Sequence, residues 1–398
     1  MTLNEGNPEK KHRKHAKLLK PAIGNYGRNE WAIVGGPCVV IKLLADDVIT
    51  ALGSTYRCAY VDTSHNDDLT LLPGRLAAGA VVDYTNQLNY QQFNFQNPLM
   101  PYQLKQQFAN ADMVLVNGNH QQAKAQIVII DINKRASLLK RLDQLTNVEL
   151  FLLADNSDDL FDFIRETIPD WQQIPVYKLA DKEKIVAFFD TRLKQAKPVL
   201  NGLVLAGGKS QRMGFDKGEI NLYGEPQRYH MADMLKPFCN EVYISYAADQ
   251  LPQNHSPYPA LVDTFTGLGP YGAILSAFRE QPDSAWLVIA CDLPLMDEGT
   301  LRNLVAWRNS SSVATAYHSP VTDFPEPLIA IWEPKSYPIL LSFLAQGYSC
   351  PRKVLINTDI TLLNAPQPEA LTNVNTPEEL ETVRKIIQQK LAATNEGS

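Results

Sequence analysis

The stretch Leu205–Lys217, LAGGKSQRMGFDK, decides how the second half of this chain is read. It follows Val199-Leu200-Asn201-Gly202-Leu203-Val204, an apolar run with the length and β-branched content of a buried strand. Gly207 and Gly208 let a backbone pass close to a bulky anion, and successive N–H groups can then point at phosphate oxygens. Lys209, Arg212 and Lys217 come next, spaced to neutralise a triphosphate from several directions. A Gly-Gly pair alone reads as an ordinary βα turn; with basic residues around Met213-Gly214 it reads as a nucleoside triphosphate loop. It is not a Walker A motif, which needs Gly-Lys-Ser/Thr, and not a dinucleotide fingerprint with its spaced glycines.

Outward from this loop, strands and helices alternate. Strands are predicted at Val199–Ala206, Glu241–Tyr246, Leu261–Asp263, Trp286–Cys291, Ser312–His318 and Leu328–Trp332. Helices are predicted at Tyr229–Leu235, Tyr271–Glu280, Glu298–Trp307, Lys335–Gln346 and Glu378–Gln389. The alternation implies a mostly parallel sheet with helices on both faces and a ligand at the carboxyl ends of the strands.

Asp292 follows the apolar strand Trp286–Cys291, where a carboxylate facing the basic loop can hold Mg²⁺, an ion that takes carboxylates and substrate phosphates. Asp263 ends another strand before the Gly-rich turn Gly267–Gly272; it is as readily a turn residue as a reader of a guanine edge. Thr376, Pro377 and Glu379 make a capping box for the last helix. That leaves Asn375, whose side-chain oxygen can reach the metal.

LAGGKSQRMGFDK, TGLGPYGAI after Asp263, ACDLP, Glu326-Pro327-Leu328 and NVNTPEEL occur in an order that resembles the MobA-like nucleotidyltransferases, of the molybdenum cofactor guanylyltransferase type, across residues 198–390. The resemblance implies a Rossmann-like sheet and transfer of GMP from GTP to the terminal phosphate of molybdopterin, with Mg²⁺. It implies Arg212, Lys217 and Asp292 as catalytic residues, and Leu205, Ala206, Gly207, Gly208, Lys209, Lys217 and Asp263 as nucleotide-binding. Metal would be held by Asp292 and Asn375. Ala206-Gly207-Gly208 stands where cytidylyltransferase relatives have Ala-Ala-Gly, which favours GTP. The chain departs from the pattern at Tyr271, usually Leu, and at Tyr246-Ala247-Ala248, where an Asn commonly assists base recognition. CTP, a sugar-phosphate acceptor, and a non-catalytic delivery role remain open alternatives.

A boundary falls near Ala196-Lys197-Pro198, where the helical pattern Lys182–Gln195 stops. Upstream, residues 25–195 also alternate. Strands are predicted at Glu30–Gly35, Arg57–Thr63, Gly79–Tyr84, Ala111–Asn117, Gln126–Asp131 and Val148–Leu153. Helices are predicted at Ile41–Leu52, Tyr102–Asn110 and Asp158–Ile168, and Asn86–Asn97 reads as a polar loop. The fold class is therefore α/β, with two three-layer domains. Val34-Gly35-Gly36-Pro37-Cys38-Val39-Val40-Ile41-Lys42-Leu43 has the context of a P-loop but carries Ile41 and Leu43 in place of Gly and Ser/Thr, losing the hydroxyl that holds Mg²⁺. With Tyr60–His65, Ala78-Gly79-Ala80 and Asp112–Gly118, the order is similar to the MobB-type GTP-binding adaptor. Asn117 stands where that adaptor has Glu. The similarity implies a degenerate adaptor that docks molybdopterin donors, molybdoenzyme apoproteins or their chaperones, or supports a homo-oligomer.

Bulk properties are those of an ordinary soluble globular protein. The 398 residues are 45% hydrophobic and 20% charged, with no apolar run near the roughly 18 residues of a membrane span. Lys10, Lys11, Arg13, Lys14, Lys17 and Lys20 lie in residues 1–24, read as a basic, solvated tail and not a secretory signal. A net charge of −6 argues against a nucleic-acid surface. Five scattered cysteines without a CxxC pair read as buried, reduced thiols of a cytosolic protein.

Overall fold

Alternate residues of the first strand, β1 (Glu30–Val34), enter different cores: Trp31 and Ile33 one, Ala32 and Val34 the other. A strand that is apolar on both faces must be covered on both, so helices lie on each side of the sheet. The computed structural model describes residues 25–64, 72, 74–206, 217–251 and 256–396, without the side chains of 217 and 390–396. The chain divides into two compact units that part between Ala196 and Lys197. The expected tail over 1–24 lies outside the described residues.

In the first unit β1 is followed by α1 (Cys38–Leu52), β2 (Cys58–Val61), β3 (Val82–Asn86), β4 (Gln91–Phe95), α2 (Pro101–Gln107), β5 (Met113–Asn117) and β6 (Ala125–Ile130). Then come α3 (Arg135–Leu139), β7 (Val148–Leu153), α4 (Asp162–Thr167), β8 (Val176–Lys178) and α5 (Lys182–Gln195). A six-stranded, wholly parallel sheet has the order β2-β5-β1-β6-β7-β8. α1 buries Ile41, Leu44, Ala45, Val48 and Leu52, a stripe of helical period, beside Ile185, Phe188, Phe189 and Leu193 of α5. Leu138 of α3 and Phe163 and Ile164 of α4 fill the opposite face.

Two expectations fail here. Gly79 sits in a turn at φ +101°, and the strand predicted from it begins only at Val82. The Gln/Asn-rich segment read as a loop contains β4, which pairs antiparallel with β3 as a separate hairpin. Its composition hid a period of two: Val82 and Tyr84 stand opposite Phe95 and Phe93 on one face.

The second unit runs β9 (Leu200–Leu205), α6 (Gln227–Leu235), β10 (Val242–Tyr246), β11 (Ala260–Val262), α7 (Pro270–Glu280), β12 (Ala285–Ala290) and α8 (Glu298–Ala306). It continues with β13 (Ala314–His318), β14 (Pro325–Trp332), α9 (Ser336–Ala345), α10 (Pro351–Ile356), β15 (Thr361–Leu363) and α11 (Pro377–Glu396). The seven-stranded sheet has the order β11-β10-β9-β12-β14-β13-β15, with β14 reversed. Leu203 and Leu205 of β9 pack toward α7 and α9, and Leu200 and Val204 toward α6 and α8. Every element predicted for this half is present with displaced ends; α10 and β15 were not foreseen. Of the five cysteines expected to be buried, only Cys291 is.

Candidate functional site

The carboxyl ends of four parallel strands lie level. Leu205 is in register with Ser245 on one side and Ala290 on the other. Beyond the strands, the amide of Ala206 donates to Ser245 (3.3 Å), that of Cys291 to Leu205 (3.3 Å), and that of Asp263 to Tyr246 (2.9 Å). Leu205, Ala206, Asp263 and Asp292 are thus brought to one edge. Crossovers leave β9 toward β10 on one side and reach β12 on the other, so this edge is the switch point where an open α/β sheet forms its crevice. Gly207, Gly208, Lys209 and Arg212 lie outside the described residues, as does the side chain of Lys217; the backbone of Lys217 opens a 3₁₀ turn, Lys217–Glu219.

Asp292 and the Asn375 segment meet through the main chain: the Val374 amide donates to the Asp292 carbonyl at 2.9 Å. Both Asp292 and Asn375 are half-buried. The capping box forms as expected, Glu379 accepting from the amides of Asn375 (2.6 Å) and Thr376 (3.1 Å) while Thr376 accepts from the Glu379 amide (3.2 Å). Beneath them a small core joins Leu295, Val374, Leu380, Val383 and Ile387, with Tyr223 packed against it. The Tyr223 hydroxyl donates to the Pro294 carbonyl (2.7 Å), pinning the turn that carries Asp292. Carboxylate and side-chain amide oxygens are donors suited to Mg²⁺, which needs few protein ligands when phosphates complete its shell. Among the described residues no His/Cys/Asp/Glu cluster suits a metal held by protein groups alone.

Asp263 is half-buried, and burial raises its carboxyl above the ordinary carboxylate value, opposed by the Ser245 hydroxyl that donates to its Oδ1 at 2.6 Å. The Gly-rich turn after it is built for close packing: a Cβ on Gly272 would come within 2.1 Å of the Phe265 carbonyl oxygen. Tyr271 has no part in the crevice. It is fully buried, and its hydroxyl donates to the Leu340 carbonyl (2.6 Å), tying α7 to α9. Its departure from the expected Leu is a matter of core packing.

Sequence reasoning missed Arg228. It is 3% exposed, its Nε donates to the Gly218 carbonyl (3.2 Å), it pairs with Glu219, and its guanidinium lies over the Tyr246 ring at 5.7 Å. It therefore joins the end of the basic loop to the end of β10. α6 buries Gln227 and Arg228 together with Met231, Ala232 and Leu235, so the helical pattern alone does not single out the arginine. Glu326, at the start of the reversed strand β14, pairs with Arg352 at 3.0 Å.

In the first unit, the equivalent edge is altered. Ile41 lies inside α1 with its side chain fully buried in the core. Leu43 is 61% exposed and offers no oxygen. Lys42 pairs with Asp62 at 3.3 Å. Burial raises the Asp62 carboxyl, but bonds that include the Thr63 amide (2.7 Å), Lys42 and the Tyr60 hydroxyl (3.1 Å) outweigh it and hold the group below its ordinary value.

Residues 202–360 match the model of the MobA-like NTP transferase domain. The chain is 35% identical over 183 residues to a molybdenum cofactor biosynthesis bifunctional protein of Synechocystis, covering 45% of this chain and about half, 52%, of that protein. It is 29% identical over 201 residues to a molybdenum cofactor guanylyltransferase of Pseudomonas putida, covering 48% of this chain and 100% of that one. Among solved structures, molybdopterin-guanine dinucleotide biosynthesis protein A of Archaeoglobus fulgidus is similar at 21% identity and a TM-score of 0.39, over 48% of this chain and 99% of that one. A MobB protein homolog from Bacillus stearothermophilus is similar at 18% identity and a TM-score of 0.29, over 42% and 99%. The C-terminal half carries a nucleotidyltransferase domain of the MobA type.

Proposed function

We propose that the second unit transfers GMP from GTP to the terminal phosphate of molybdopterin. The observation that carries this reading is the match of residues 202–360 to the MobA-like domain, with Asp292 at the carboxyl edge of the same sheet. The name of the P. putida relative supports guanylyl transfer. The acceptor phosphate is already a nucleophile: its oxygen bonds to the α-phosphorus of GTP, the bond to the β-phosphate oxygen breaks, and pyrophosphate leaves. No general base is required, so the chain's work is to bring polyanions together and hold developing charge.

In this reading Leu205, Ala206, Gly207 and Gly208 line the nucleotide, and Lys209, Arg212 and Lys217 neutralise its phosphates. Arg228 fixes the far end of that loop through Gly218. Asp263, oriented by Ser245, accepts from the N1–H and exocyclic amine of guanine. Asp292 and Asn375 would hold Mg²⁺, which supplies Lewis-acid stabilisation of the phosphates when bound.

The first unit takes a docking role without GTP hydrolysis, as a degenerate MobB-like domain for molybdopterin donors or molybdoenzyme apoproteins. The engagement of Lys42 by Asp62 and the loss of a hydroxyl at Leu43 support this. A cytoplasmic setting is the reading that five scattered cysteines without a CxxC pair support; among the described residues no helix is long and apolar enough to cross a membrane.

Pyrophosphate release with Mg²⁺, molybdopterin and each NTP in turn tests the assignment. Release with GTP alone is expected. Release with CTP would shift the specificity to cytidylyl transfer, and silence with every NTP beside an active control would overturn the reading.

A further inference from the structure

A second cluster of reactive groups lies at the carboxyl edge of the first unit's sheet. Cys38 is the first residue of α1, at the Gly35-Gly36-Pro37 turn that ends β1. Its Sγ lies 3.3 Å from Nε2 of His120, in the turn after β5, the strand beside β1. The Asn119 side-chain amide donates to the Gly36 carbonyl (2.8 Å) and to the Cys38 sulfur (3.6 Å). Asn119 is itself fixed, its amide donating to Oδ1 of Asn117 (3.1 Å) and its carbonyl accepting from Arg141 (3.3 Å). Two residues of the turn after β5 thus converge on one half-buried thiol at the start of α1.

Each neighbour favours sulfur as a nucleophile. His120 is placed to take the thiol proton, and the Asn119 amide donates to the sulfur that carries the charge. The first amides of a helix lack intrahelical acceptors and favour anions. α1 has fifteen residues, no acidic residue in its first turn and no side-chain cap at Pro37, so that preference is left for a ligand.

We propose that Cys38, with His120 as its base, is a thiol-exchange site for disulfides of small anionic thiols. The Cys38 proton passes to Nε2 of His120 and the sulfur attacks one sulfur of the disulfide. A Cys38–S–S–R bond forms as the original S–S bond breaks, and the departing thiolate takes the proton back from His120. Oxidant and leaving group are the two halves of the same disulfide, so the step balances. The helix terminus selects an anionic R group, and Arg141 adds positive charge on the far side of Asn119.

Cys350 provides an internal standard, being exposed and, among the described residues, without a histidine partner. The intact protein is incubated at neutral pH with oxidised glutathione, quenched with N-ethylmaleimide, and each cysteine peptide is quantified by mass spectrometry. Cys38 is expected to exchange at least about ten-fold faster than Cys350, a modest share of what a positioned base supplies. In His120→Gln that advantage is lost while Cys350 is unchanged and the circular dichroism spectrum is retained. A neutral disulfide, 2-hydroxyethyl disulfide, is expected to show a smaller Cys38-to-Cys350 ratio. Cys38 exchanging no faster than Cys350, or keeping its rate in a folded His120→Gln variant, would overturn the proposal. The wild-type ratio decides it even if the variant fails to fold. A neutral disulfide exchanging with equal advantage would remove the anion selectivity.

Discussion

The Ser245 hydroxyl donates to Oδ1 of Asp263 at 2.6 Å, so the acid that follows β11 is oriented by the strand beside it. Burial nevertheless raises the Asp263 carboxyl above its ordinary 3.8. A raised acid in the folded state binds a proton that the unfolded chain has already lost. Stability therefore falls as pH rises through the interval between the ordinary value and the folded one, and stays lower above it.

Asp263→Asn removes that burden while keeping an oxygen for Ser245. At pH 7 its Tm should exceed the wild type's by about 1–3 °C, a gap that closes as the pH falls below the ordinary carboxylate value. Scanning calorimetry at both pH values checks this; a lower Tm at neutral pH would contradict it. If Asp263 reads guanine, the same variant raises KM for GTP.

Asp292→Asn should lower kcat by about 100-fold or more, the scale of losing one preorganised electrostatic contact. The Val374 bond goes to the Asp292 main chain and survives the change, so the fold should persist. Pyrophosphate release and circular dichroism on one sample separate the effects; near-normal turnover would remove Asp292 from the metal site.

Arg308→Met should destabilise the second unit by about 3–5 kcal/mol, because Glu333 is fully buried and is left without its guanidinium. Adding Glu333→Leu should recover most of the loss, since a paired apolar replacement strands no charge. Urea melts of the single and double variants check the recovery.

Lys42→Ala should change stability by less than about 1 kcal/mol, because Lys42 is 53% exposed and such pairs are worth little. It should also leave pyrophosphate release unchanged. A large fall in GTP turnover would restore a nucleotide role to the first unit.

The apolar strands of both sheets were readable because parallel strands covered on two faces leave continuous apolar runs, as in residues 113–116 of β5 and Ala285–Ala290 of β12. The hairpin of β3 and β4 was not, since its aromatic residues alternate with Gln and Asn and it joins no larger sheet. Asp292 and Asp263 were legible from their place after apolar strands. Arg228 escaped because its partners are a carbonyl and a ring reached only in three dimensions. The link between Asp292 and the Asn375 segment was equally hidden, being a main-chain bond that no side-chain pattern records.

That bond from Val374 to Asp292 also sets an order of events. Strands β9 to β12 can pair as soon as they are made, but the crevice gains its last wall only when the segment before α11 returns to β12. Contacts so distant along the chain close late and slowly. On the ribosome, strands β9 to β12 should therefore pair before the crevice is complete, and binding competence should wait until the segment before α11 has been made.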